Sequence, residues 1–133
     1  MLASGCGGAL VGLTDEEFEL LVRQALAELP AEILQRLDNI AVTVADWPTA
    51  NELERARVDQ RGRLFGLYQG VPLTKRGVHY NLVAPDRITI YRGPLLAACH
   101  SRAGLREQVR RTVVHEVAHH FGIGETRLGE LGY

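Results

Sequence analysis

The chain has 133 residues, 46% of them hydrophobic and 23% charged, with 15 basic against 16 acidic side chains. That length buries one core, and a net charge of −1 excludes a general nucleic-acid or anionic-membrane binder, which needs a basic excess. No apolar run approaches the ~20 residues of a membrane span.

Residues 1–13 are glycine-rich around Cys6 and lack the basic start and long apolar stretch of a signal peptide, so a flexible tail is expected ahead of one domain over 14–133. The two cysteines, Cys6 and Cys99, make neither a disulfide framework nor a C-x-x-C zinc pair. A reducing, cytoplasmic setting suits that usage.

Thr14-Asp-Glu-Glu17 has the capping-box form, and Phe18, Leu21, Val22, Ala25, Leu26 and Leu29 repeat behind it at helical spacing. Pro30 suits the first turn of a second short helix with Ile33, Leu34 and Leu37 on its buried side. After the turn signal Asp38-Asn39, residues 40–44 alternate as a strand. The charged stretch 49–58 fits one or two helical turns. Residues 63–68 read as a second strand interrupted by Gly66, and Gly70, Pro72 and Gly77 mark a long loop. Residues 87–91 (Arg-Ile-Thr-Ile-Tyr) form the clearest strand, bounded by Pro85-Asp86 and Gly93-Pro94. A short helix is expected over 94–100 and a long one over 104–121, stopped by Gly122. Helices, then strands, then a C-terminal helix give an α+β domain.

Three of the five histidines fall within six residues, His115, His119 and His120. His115-Glu116-Val117-Ala118-His119 is H-E-x-x-H, and side chains four apart on a helix lie one turn above each other. Two neutral imidazoles can therefore reach one Zn²⁺ ion from one face and leave room for a water. Glu116, about 100° around the helix from His115, can stand beside that water as a proton acceptor without ligating. Val113, Val114, Val117, Ala118 and Phe121 make the segment apolar over most of its circumference, which predicts a helix buried in the core. Gly122 permits a sharp turn, after which Glu125 is the next donor able to fold back. Glu125 could instead pair with a neighbour such as Arg127, and the lone His79 or His100 could replace it as third ligand. His120 points about 100° away from His119 and is expected to support or to face solvent rather than ligate.

The extended pattern His115-Glu-x-x-His119-x-x-Gly122-x-x-Glu125 resembles that of the zincin metallopeptidases with H-E-x-x-H-x-x-G-x-x-His or -Asp. Gly66-Leu-Tyr-Gln-Gly-Val-Pro-Leu73, Pro85-Asp-Arg-Ile-Thr-Ile-Tyr-Arg-Gly-Pro94 and Arg127-Leu-Gly-Glu-Leu-Gly-Tyr133 extend the similarity to the bacterial minimal zincin-like domains, over 14–133. Two departures stand out: Glu125 occupies the His or Asp position, and Met1, the sole methionine, leaves no methionine turn. The resemblance implies a minimal zincin-like fold, with a small twisted sheet packed on an active-site helix.

The reaction expected is hydrolysis of a peptide bond, with Zn²⁺ held by His115, His119 and Glu125 and with Glu116 as general base. Tyr133 could pack beneath the ligands in place of the methionine turn, donate its phenol to an oxyanion, or fray. The strand at 88–91 is expected either as a plain core strand or as the sheet edge against which a substrate lies extended. The partner is a peptide or protein substrate, with no nucleic acid and no membrane, and a homodimer could supply a second wall for the cleft. The alternatives are a catalytically idle domain that serves as a binding module and a hydrolase of a non-peptide amide.

Overall fold

In a computed structural model, which describes Leu10 and residues 12–56, 64–70 and 85–133, the capping box at Thr14 forms as expected. The Thr14 hydroxyl accepts from the Glu17 N–H at 3.1 Å, and the Glu17 carboxylate accepts from the Thr14 N–H at 2.8 Å. Helix α1 (Asp15–Ala27) follows and buries Phe18, Leu21, Val22 and Ala25 along one stripe. Pro30 stands just ahead of α2 (Ala31–Leu37), which buries Ile33 but leaves Leu34 exposed. The expected burial of Leu34 fails because so short a helix touches the core along one narrow line.

Strand β1 (Ile40–Ala45) leads to α3 (Ala50–Arg55), whose start is fixed by a second capping box between Thr49 and Glu52. Next come β2 (Gly66–Gln69) and β3 (Asp86–Tyr91). Gly66 opens its strand instead of interrupting it. β3 is the central strand, parallel to β1 with Ile40 opposite Asp86, and antiparallel to β2 with Gly66 opposite Ile90. The edge-strand role considered for 88–91 is therefore corrected. Its backbone is paired on both sides, and Ile88, Thr89, Ile90 and Tyr91 are all buried. Among the described strands the edges are β1 and β2. The Tyr91 N–H donates to the Phe65 carbonyl at 2.9 Å, and the alternation of an antiparallel ladder then turns the N–H groups of Gly66 and Tyr68 away from β3.

The chain continues through α4 (Arg92–Ala98), α5 (Arg102–Phe121) and α6 (Glu125–Glu130). Ser101 caps α5 by accepting from the Gly104 N–H at 2.9 Å. Leu105, Val109, Val113, Val114 and Val117 of α5 pack with the α1 stripe and with Ile88 and Ile90 of β3. Each such side chain contributes about 1.5–3 kcal/mol when fully buried. Gly122 ends α5 at φ 73°, a left-handed conformation open to glycine, and the Ala118 carbonyl accepts from both Gly122 and Ile123. The α+β expectation holds. The readings for the N-terminal tail, for Pro72 and Gly77 in the long loop, and for His79 lie outside the described residues. None of the described helices is long and apolar enough to cross a membrane.

Candidate metal centre

Helix α5 is buried on its valine side and open on the other. Val113, Val114, Val117 and Ala118 face the core, while His115 and His119, one turn apart on the opposite side, are exposed. This corrects the expectation of imidazoles sunk in a core helix, and Phe121 is also exposed. The outward placement avoids the cost of desolvating two polar rings and leaves their nitrogens accessible.

Glu116 is half-buried between α5 and the outer edge of β2. One of its carboxylate oxygens, Oε1, accepts from the Tyr68 N–H at 2.8 Å. The approach depends on Gly66: a Cβ there would lie 2.6 Å from Thr112 Cγ2 on α5 and 3.2 Å from the Thr89 carbonyl. Tyr68 is fixed in turn by its phenol, which donates to Asp86 Oδ2 at 2.6 Å, and by its ring, stacked on His120 with centroids 3.9 Å apart. His120 thus supports the strand that holds Glu116, in keeping with a role away from the ligand face. Burial pushes the Glu116 carboxyl above the ordinary carboxylate range, while the Tyr68 N–H and then His119 and His115 pull it back.

Glu125 is exposed at the first position of α6. Arg127 pairs with Glu32 at 2.6 Å and Glu130 at 2.8 Å, so the pairing considered between Arg127 and Glu125 does not form. Among the described residues no three His, Cys, Asp or Glu side chains form a group able to hold a metal ion, so Glu125 is not gathered with the two imidazoles. His100 is exposed ahead of α5, about 20 Å along that helix from His115, which rules it out as a replacement ligand. Two accessible imidazoles one turn apart, with a carboxylate just beyond the helix stop, are nitrogen and oxygen donors of the kinds zinc takes. By donor type the residues fit the metal.

Tyr133 does not fray. Gly132, at φ 94°, donates to the Gly129 carbonyl, and the Tyr133 N–H donates to the Leu128 carbonyl at 2.8 Å, closing a Schellman turn. The half-buried Tyr133 ring lies 6.0 Å from the Arg111 guanidinium carbon, one turn before His115. A groove of about 320 Å³ runs along this face between residues 64–66 and α5 and reaches His115 and Glu116.

Tyr68, Asp86 and Gly66 are the contributors that sequence reasoning missed. Tyr68 acts on Glu116 through its backbone, which no residue type announces. For Gly66, a lone glycine inside a strand pattern was the available signal of close approach.

A family model described as zincin-like metallopeptidase matches residues 37–133. Among solved structures, a similar chain is a conserved hypothetical protein from Thermo thermophilus. It is 22% identical, with 88% of this chain and 99% of that chain covered and a TM-score of 0.49. No curated protein matches.

Proposed function

The chain belongs to the zincin-like metallopeptidase family, and on that premise we propose that it is a zinc-dependent peptidase acting on a peptide or protein substrate. His115 and His119 would hold the zinc, with Glu125 as the third ligand. When bound, zinc supplies the Lewis acidity that activates water and polarises a carbonyl. Glu116 accepts the proton from the attacking water and later returns it to the leaving amine. Tyr133, ordered against the same helix, is the proposed phenol donor to the oxyanion.

The observation that carries this reading is the bond from the Tyr68 N–H to Glu116. It holds a carboxylate on the helix that carries the two imidazoles, and burial raises its affinity for a proton. A purely structural zinc site has no use for such a base. A second reading, a binding module without turnover, draws on the absence of a gathered three-donor group among the described residues. Zinc analysis of the purified protein together with a broad peptide-cleavage screen separates the two. Zinc with cleavage supports the peptidase, and zinc-independent peptide binding without cleavage supports the module.

A further inference from the structure

The groove beside Glu116 has walls of unlike chemistry. One side is the chain entering β2, with Leu64 buried, Phe65 half-buried and Gly66 open to the helix. The other side is α5, where Gln108, Arg111 and Thr112 precede the pair His115 and Glu116. Gln108 and Thr112 are bonded to each other, Gln108 Nε2 lying 3.4 Å from the Thr112 hydroxyl, which itself donates to the Gln108 carbonyl at 2.7 Å. Among the described residues that line it, Arg111 is the one arginine or lysine.

Among the described residues, Arg111 is held by one carboxylate and one ring. Its Nε pairs with Glu107 at 2.9 Å on the exposed helix surface, and its guanidinium lies over the Tyr133 ring. Glu107 is shared, because it also binds Arg110. Exposed pairs of this kind are worth little, so an incoming anion can share the guanidinium. A guanidinium presents five donors in a planar fork matched to a carboxylate, and Glu107 is paired with one of them.

We propose that Arg111 determines specificity by binding a carboxylate of the peptide close to the bond that is cleaved. Resting on the peptidase reading above, this assigns the substrate class as peptides with an acidic group on one side of that bond. The spacing limits which residue carries it. Arg111 stands one turn, ~5.4 Å, before His115, and an extended peptide advances ~3.3 Å per residue. The carboxylate therefore belongs to a residue within about two positions of the bond. An Asp or Glu side chain or the peptide's own C-terminal carboxylate meets this description.

The test uses the zinc-loaded protein and end-blocked peptides identical except for Glu, Gln or Lys at those positions. A further Gln peptide carries a free C-terminal carboxylate two residues from the bond. Cleavage is followed by mass spectrometry, and binding to the Glu116→Gln variant by fluorescence anisotropy. The Glu peptide, the free-carboxylate peptide or both should exceed the blocked Gln peptide about tenfold in kcat/KM and in affinity, and which of them does so identifies the source of the anion. Arg111→Glu should abolish that preference and favour Lys, whereas Arg111→Lys should keep it in weakened form. Equal handling of Glu, Gln and Lys peptides, or a ranking unchanged in Arg111→Glu, overturns the assignment. If no peptide is cleaved but Arg111-dependent acidic binding remains, the peptidase reading fails and the groove assignment stands. Neither cleavage nor a binding preference overturns both.

Discussion

The backbone N–H of Tyr68 meets the carboxylate of Glu116 at 2.8 Å, across 48 residues of sequence. The bond ties the outer edge of β2 to the helix that carries the two candidate histidine ligands. It fixes the direction of the proposed base before any substrate arrives, which is the kind of positioning that general-base catalysis requires.

Replacement of Glu116 by Gln should keep that bond, since the amide oxygen also accepts from the Tyr68 N–H. The variant is expected to fold and to bind zinc as the parent does, while peptide turnover falls roughly 10²–10⁴-fold. Elemental analysis and a cleavage assay check the two halves separately. Parental turnover would falsify the role of Glu116.

His119→Ala should lower zinc affinity by more than the ~10–100-fold that loss of an outer partner costs. Glu125→Ala tests the third ligand and should lower affinity as well. Competition against a chelator measures both. Unchanged affinity in Glu125→Ala removes that residue from the ligand set without touching the histidines.

Gly66→Ala should destabilise the fold by about 1–3 kcal/mol, as overpacking does, because the new Cβ meets Thr112 Cγ2 at 2.6 Å. Thr112→Ser removes that methyl and should recover part of the loss when combined with Gly66→Ala. Urea unfolding of the four proteins gives the coupling. Strictly additive effects would mean that the approach of β2 to α5 is not limited at this contact.

Tyr91 is buried, and its phenol oxygen has no partner at hydrogen-bonding distance among the described residues. Burial first, and then the nearby Glu52 carboxylate, push its pKa above the ordinary tyrosine value. An acid whose pKa is raised on folding contributes stability that is full below its unfolded pKa, near 10, and declines as pH rises above it toward the folded value. Tyr91→Phe should therefore lose less stability than the parent between about pH 10 and 12, while differing from it little at pH 7. Parallel alkaline stability curves for the two proteins would remove this assignment.

Much of the frame was legible in local chemistry. The capping box at Thr14, the apolar stripe that follows it and the stop at Gly122 all sit within a few residues of the groups they bond, and they form as read. The second capping box, between Thr49 and Glu52, was equally local and marks the helix start within the stretch read only as helical turns. Pairing was not legible. Residues 87–91 have the β-branched composition of a strand in any position, and only non-local partners decide between edge and centre. Exposure of α5 was misjudged because periodicity locates an apolar face but does not say what covers the other one.

The sequence by itself determined that an H-E-x-x-H pair stands on a helix closed by a glycine, since four-residue spacing and a left-handed stop are local properties of the chain. Only the tertiary structure decided what surrounds that pair. The Tyr68 N–H on Glu116, the stack of Tyr68 on His120 and the placement of Tyr133 beside Arg111 join residues from separate elements. Such contacts follow from how β2 and the C-terminal turn pack against α5, a property of the whole core that no short window of residues contains.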